Sequence, residues 1–182
     1  MLDLLFKNVL VYDGSGAAPV KRPVGVLDGK LVLDVQADTP ARETVDGSSL
    51  ALSPGFIDVH SHSDSYLSRD PLQCAKLKQG ITTQIGGNCG SSPFPFIKDN
   101  PDKKVQHTYN YSVYRDFAAF RDFGNLIPLG VNQYNMIGHN RIRSQVMGAD
   151  NRPADKNELA KMKDMIRLAM EQGAVGFSTG LV

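Results

Sequence analysis

Two histidines, His60 and His62, follow the short apolar run FIDV of residues 56–59. If that run is a β-strand, residues two apart point to the same side, so both imidazoles can bind one metal ion. Asp64 shares that face if the strand geometry persists. Imidazole is a good zinc ligand, and a bound zinc ion polarises carbonyl groups and activates water. Histidines at a strand end are also a common surface arrangement, and the spacing alone leaves both interpretations open.

A third candidate ligand, Cys89, lies in the segment GGNCG of residues 86–90, directly after the β-branched run ITTQI of residues 81–85. The carboxyl ends of neighbouring parallel strands lie side by side, and ligands bind there. Cys89 can therefore approach His60 and His62, and its thiolate is a good zinc ligand. The alternative is a buried, apolar cysteine. The flanking glycines indicate a tight backbone and slightly favour the metal ligand.

Two other segments carry weaker indications of chemistry. His139 lies in IGHNR, residues 137–141, where it either lines the same pocket or has a structural role. Residues 176–180 read GFSTG and are similar to the G-x-S-x-G turn that presents the nucleophile of serine hydrolases. In that fold the histidine and carboxylate partners follow the serine. Only two residues follow Gly180, so a serine hydrolase is disfavoured.

The elements that must position these residues fall into two parts. The first fifty residues contain short apolar runs and turns, including Asp28-Gly29, which is typical of a type I′ hairpin. Beyond Leu50, apolar runs and helical periods alternate. They predict strands over 56–60, 81–85, 126–137 and 174–178, a loop over 94–110, and helices over 70–79, 112–123 and 155–172. This alternation predicts an α/β fold with a parallel sheet, either an open sheet or half of a (β/α)8 barrel.

Composition excludes several classes of protein. The 182 residues include 41% hydrophobic and 21% charged residues with a net charge of +1, which disfavours nucleic acid or a membrane as a partner. No apolar stretch is long enough to span a bilayer. The first residues lack the pattern of a secretory signal, so we expect none. The two cysteines, Cys74 and Cys89, provide no disulfide framework. We therefore expect a globular, cytoplasmic protein.

Together these motifs resemble a known superfamily of enzymes. The segment SPGFIDVHSH of residues 53–62 is similar to the first-strand signature of the amidohydrolases. The segments QGITT of residues 79–83 and GNCG of residues 87–90 resemble the N-acyl-D-amino-acid deacylase branch in particular. GHNRIR of residues 138–143 and GAVGFSTGL of residues 173–181 are also similar to that branch, so the resemblance covers essentially the whole chain.

The resemblance implies a fold and a metal centre. Residues 53–182 would form the first half of a metal-dependent (β/α)8 TIM-like barrel. Residues 1–52 would form part of a small β-sandwich domain that precedes it. By the same resemblance His60 and His62 bind the more buried zinc ion. Cys89 replaces the carboxylated lysine that bridges the metals in many relatives, and it would bind the catalytic ion.

The resemblance also implies an activity, the hydrolysis of the amide of an N-acyl-D-amino acid. Other linear or cyclic amides, as in dihydroorotases and hydantoinases, are the alternative substrates. Family members are much longer, and their remaining metal-binding histidines and the aspartate that acts as general base lie downstream. The chain is therefore expected to contain no catalytic base and to be incomplete for catalysis. A non-catalytic metal-binding or structural fragment is the alternative, and unpaired barrel edges predict self-association or marginal stability.

Overall fold

The computed structural model describes residues 1–96 and 113–180. The chain divides into two compact units, residues 1–54 and residues 55–182. The division falls within the segment SPG of residues 53–55, where a proline and a glycine interrupt regular structure. No helix among the described residues is both long enough and apolar enough to cross a bilayer.

β1 (Leu2–Val11) lies at the centre of the single sheet of the first unit. It pairs antiparallel with β2 (Val20–Leu27) and parallel with both β4 (Ala41–Asp46) and β5 (Ala51–Leu52). β3 (Lys30–Val32) extends the sheet beyond β2. The apolar core of this sheet comprises Leu2, Leu5, Val9 and Val24. Burial of these side chains supplies the hydrophobic stabilisation of this unit.

The turn between β2 and β3 confirms the predicted hairpin. Asp28 and Gly29 have φ angles of 49° and 71°, and Leu27 pairs with Lys30 across them. A type I′ turn needs a positive φ at both central residues, which glycine and aspartate tolerate better than most residues. The local sequence therefore favours this turn.

The second unit contains parallel strands. β6 (Phe56–Asp58), β7 (Ile81–Gly86) and β8 (Asn132–Asn135) form one sheet in that order. β9 (Ile137–Gly138) pairs parallel with β10 (Phe177–Ser178). Helices connect these strands, so the predicted α/β class with parallel strands is confirmed.

Only Met136 separates β8 from β9. The Met136 N–H donates to the carbonyl of Gly86 at 3.1 Å, and the Ile137 N–H donates to the carbonyl of Gly176 at 2.9 Å. Successive N–H groups of an extended chain point in opposite directions. The segment of residues 132–138 thus has β7 on one side and β10 on the other, and the carboxyl ends of all these strands lie near one another.

The described residues of the second unit also form four α-helices and one 3-10 turn. They are the turn Ser63–Tyr66, α1 (Cys74–Leu77), α2 (Phe117–Leu126), α3 (His139–Met147) and α4 (Lys156–Glu171). The core that they form with the strands contains Leu67, Phe94, Phe117, Phe120, Ile137, Ile142, Val146, Met147, Met162, Ala169 and Ala174. Within this core the rings of Phe94, Phe117 and Phe120 contact one another in edge-on and tilted arrangements.

The longest helix, α4, begins where the sequence predicts. The Asp155 carboxylate accepts a hydrogen bond from the Glu158 N–H at 2.8 Å, and the Glu158 carboxylate accepts one from the Asp155 N–H at 2.9 Å. This reciprocal pair is a capping box, and it satisfies two N–H groups that the first helical turn cannot.

The helix predicted over residues 70–79 is wrong in extent, because only Cys74–Leu77 are helical. Gln73 has a left-handed backbone with φ of 46°, which a continuous α-helix cannot contain. Its buried side chain accepts a hydrogen bond from Gln84 of β7 at 2.7 Å. A contact with a distant strand therefore overrides the local helix signal.

The strand predicted over residues 126–137 is also too long at its start. α2 begins one residue after Asp116, whose carboxylate accepts a hydrogen bond from the Ala119 N–H at 2.9 Å, and it continues to Leu126. β8 starts only at Asn132. Of the loop predicted over residues 94–110, residues 94–96 are described and have no regular structure, and the others lie outside the described residues.

Candidate metal centre

Three donor atoms converge at the carboxyl ends of β6 and β7. His60, His62 and Cys89 each offer one ligand atom, and these three atoms lie within 4.8 Å of one another. The Cys89 Sγ is 3.2 Å from the His60 Nε2, and the two imidazole rings are 5.5 Å apart between their centres. Two ligands of one tetrahedral zinc ion are separated by about 3.5 Å, so these distances fit a shared ion with small side-chain adjustments.

The donor set itself fits zinc better than magnesium or calcium. Imidazole nitrogen and thiolate sulfur are zinc ligands, whereas the harder ions prefer carboxylate and carbonyl oxygen. All three side chains are exposed to solvent on the described surface. An ion held by them would retain an open side, as a catalytic metal requires.

The backbone around Cys89 is shaped by close contacts. Cys89 itself has a left-handed φ of 52°, which is unusual for a residue other than glycine. A side chain at Gly87 would overlap the backbone of Met136, and one at Gly90 would lie 2.9 Å from the Asn140 side chain. Gly87 and Gly90 are therefore needed because the Met136 backbone and the Asn140 side chain approach this turn closely, and both glycines have a positive φ.

Asp64 lies beneath the centre. Its buried carboxylate accepts hydrogen bonds from the Gly87 N–H at 2.8 Å and from the Asn135 amide at 2.7 Å. Burial raises the pKa of Asp64, whereas these two hydrogen bonds lower it. Asp64 is not one of the three converging donors. It instead connects the segment after His62 to the ends of β7 and β8.

His139 lies at the first position of α3, half-buried, with its ring 6.1 Å from the ring of Phe177. It is not among the three donors that come together in the described part of the chain. The structure thus places His139 against β10, where its ring has an aromatic neighbour.

A polar network below the donors was missed by reasoning from the sequence. The Ser61 and Ser63 hydroxyls donate to the Gln84 side-chain oxygen at 3.1 and 2.6 Å, and Lys76 donates to Ser61 at 2.9 Å. Lys76 also pairs with Asp58, and that hydrogen bond lowers the Asp58 pKa. The available signal was Gln84, a polar residue within an otherwise apolar and β-branched strand.

This network holds the backbone that presents the histidines. Ser61 lies between His60 and His62, and its N–H donates to the Ile85 carbonyl at 3.2 Å. Asn88, next to Cys89, donates to the Ser61 and Ile85 carbonyls at 3.3 and 2.8 Å. Ser61 and Asn88, which adjoin the donors in the sequence, are therefore buried and hydrogen-bonded to each other, whereas the donors are exposed.

Comparison with known proteins first identifies the class. No protein-family model matches the chain. Its structure is similar to the crystal structure of a D-aminoacylase that defines a subset of the amidohydrolases, with a TM-score of 0.86 and 31% sequence identity. The match covers 99% of this chain and 39% of that protein. The predicted resemblance to the amidohydrolases is confirmed.

Two further comparisons identify the branch. A D-aminoacylase of Alcaligenes xylosoxydans xylosoxydans is 36% identical over 181 residues, which are 98% of this chain and 37% of that protein. An N-acyl-D-glutamate deacylase from Bordetella bronchiseptica, solved with zinc and a phosphonate inhibitor, matches with a TM-score of 0.85 and 33% identity over 99% of this chain and 38% of that one. The chain is a homologue of the N-terminal part of the N-acyl-D-amino-acid deacylases. It spans little more than a third of the length of these relatives.

We predict that Asp64→Ala destabilises the second unit by about 1–3 kcal/mol, because the buried Gly87 N–H and Asn135 amide lose their acceptor. Urea unfolding at neutral pH measures this loss. Asp122→Ala is the matched control, since Asp122 is 65% exposed and should change stability by less than about 0.5 kcal/mol. Equal unfolding free energies for the two variants would contradict the role given to Asp64.

Proposed function

We propose that the protein is a zinc-dependent hydrolase that cleaves the amide bond of N-acyl-D-amino acids, with the metal held in part by His60, His62 and Cys89. The observation that carries the proposal is the convergence of these three donors at the ends of adjacent parallel strands. Its relatives of known activity supply the substrate class.

The chain's own residues hold the metal and shape its surroundings. His60 and His62 would bind it through neutral imidazole nitrogens, and Cys89 through its thiolate. When bound, zinc supplies Lewis acidity, which polarises an amide carbonyl and lowers the pKa of coordinated water to about 7. Asp64 and Ser61 keep the ligand-bearing segments together through buried hydrogen bonds.

We assign the role of general base to none of the described residues. Asp64 is buried, and its carboxylate accepts hydrogen bonds from Gly87 and Asn135, while Asp58 is paired with Lys76. Neither carboxylate is available to take a proton from a water molecule beside Cys89. We therefore propose that catalysis takes place in the complete enzyme, to which His60, His62 and Cys89 contribute the first metal ligands.

The proposal extends to the architecture of the complete enzyme. The parallel strands β6, β7, β8–β9 and β10 would be the first four strands of a (β/α)8 barrel, whose active site lies at their carboxyl ends. The sheet of residues 1–54 would be part of a β-sandwich. A cytoplasmic location is consistent with the free cysteines Cys74 and Cys89.

The metal assignment is tested by titrating the protein with zinc and measuring bound metal by elemental analysis. We expect the unmodified chain to retain zinc. Loss of a group that only supports a ligand typically lowers metal affinity by ~10–100-fold, and we expect Cys89→Ala to lower zinc affinity by more than that. Cys74→Ala is the matched control, because Cys74 is also an exposed free cysteine but lies outside the converging donors. Equal zinc retention in both variants would exclude Cys89 as a ligand.

The substrate assignment is tested with a chimera. Residues 1–182 are joined to the part of the Alcaligenes D-aminoacylase that follows its matching segment. Amine release is measured with N-acetyl-D-amino acids and their L enantiomers, and ring opening of a cyclic hydantoin to the N-carbamoyl amino acid is measured by chromatography. We expect hydrolysis of the D compounds, abolished by Cys89→Ala. A folded, zinc-binding chimera that opens the hydantoin but leaves the D compounds intact would support the cyclic-amide alternative instead.

Self-association of the isolated chain is a further expectation. Phe56, Ile57 and Val59 are 60%, 62% and 64% exposed, and β6 forms one edge of its sheet. An exposed apolar strand edge is a template for pairing with another chain. We predict dimers or larger species in sedimentation velocity, and a shift towards monomer in Ile57→Lys. A well-folded monomer of the unmodified chain would contradict this prediction.

A further inference from the structure

The hydroxyl of Ser178 links the two sides of the turn that carries Cys89. It donates a hydrogen bond to the Gly87 carbonyl and accepts one from the Gly90 N–H at 3.0 Å. Gly87 and Gly90 are buried, and Cys89 lies between them. One side chain from β10 therefore closes a turn that lies about ninety residues earlier in the chain.

The position of Ser178 is itself determined by backbone pairing. Ser178 is opposite Gly138 in the parallel β9–β10 pair. Gly138 has no room for a side chain, because a Cβ there would overlap the Gly90 carbonyl. The Ser178 hydroxyl, the β9 backbone and the Cys89 turn are thus in mutual contact, which leaves the hydroxyl little freedom to lie elsewhere.

Gly180 adds a second constraint on the same turn. A Cβ at Gly180 would overlap the carbonyl group of Cys89, so the backbone after β10 lies directly against the cysteine backbone. The φ of Cys89 is in the left-handed region, which costs energy for a residue with a side chain and persists only where its surroundings enforce it. The Cys89 side chain is exposed, so its direction depends on this backbone.

We propose that Ser178 is a positioning residue for the metal centre: its hydroxyl clamps Gly87 to Gly90 and so directs the Cys89 thiolate towards His60 and His62. The expected effect on metal binding rests on the proposed metal site, but the two hydrogen bonds of the clamp are present in the metal-free chain. Ser178 is thereby assigned a role different from the nucleophile that the GFSTG segment suggests, since its hydroxyl is committed to two backbone groups.

The clamp is tested in the metal-free chain by hydrogen exchange at the Gly90 amide, followed by NMR. The variants are Ser178→Ala, Ser178→Thr, which retains a hydroxyl, and Thr179→Ala as a control, because Thr179 is the exposed neighbour of Ser178. We expect faster exchange at Gly90 in Ser178→Ala only. Exchange at the unmodified rate in a folded Ser178→Ala variant would overturn the clamp.

The effect on the ligand is tested with cobalt(II), whose thiolate charge-transfer absorption reports the bond to cysteine. We expect Ser178→Ala to bind cobalt about tenfold more weakly with a reduced thiolate band, since loss of groups that orient a ligand typically has that effect. Ser178→Thr and Thr179→Ala should bind as the unmodified chain does. Unchanged cobalt affinity and absorption in Ser178→Ala would overturn the positioning role.

Gly180→Ala and Cys89→Ala separate the remaining outcomes. Gly180→Ala keeps the Ser178 hydroxyl but crowds the Cys89 carbonyl, so weaker cobalt binding is expected, and unmodified affinity would contradict the inference. If Cys89→Ala binds cobalt as tightly as the unmodified chain, the proposed metal site fails. The Gly90 exchange measurement then still decides whether the clamp exists.

Discussion

The buried carboxylate of Asp64 is the interaction on which the rest of this site depends. It joins the 3-10 turn after the histidines to the Gly87 N–H at the end of β7 and to Asn135 at the end of β8. A buried carboxylate is costly unless hydrogen-bond donors surround it, and here the donors come from separate strands. The carboxylate thus couples the positions of three strand ends. Its burial also fits its place outside the group of three converging donors.

The second constraint is the close approach between backbone segments around the turn that carries Cys89. Gly87, Gly138 and Gly180 each lack the space for a side chain, because each lies against a neighbouring strand end. The Cys89 turn is consequently enclosed by backbone on both sides. Such a turn tolerates the left-handed cysteine because its neighbours leave no alternative conformation. Packing of this kind positions a ligand without any contact to the ligand's own side chain.

The site therefore separates support from chemistry. Buried polar groups, among them Ser61, Gln84 and Asn88, hydrogen-bond with one another below the surface. The donors His60, His62 and Cys89 face solvent above them. A metal ion at this place would be reachable by water and small molecules, while the buried residues around it stay out of solvent. This division is what metal-assisted hydrolysis requires, because an open coordination position must coexist with rigid ligands.

The sequence by itself determined the features whose physical cause lies within a few residues. The Asp28-Gly29 turn and the capping box of Asp155 and Glu158 both depend on local backbone preferences. The motif resemblance also predicted the branch of homologues. Only the tertiary structure decided that Asp64 lies beneath the donors, that Gln73 interrupts a helix, and that Ser178 contacts the Cys89 turn. These outcomes depend on groups many residues apart in the chain. No local pattern predicts which strand end will supply the partner of a buried donor or acceptor.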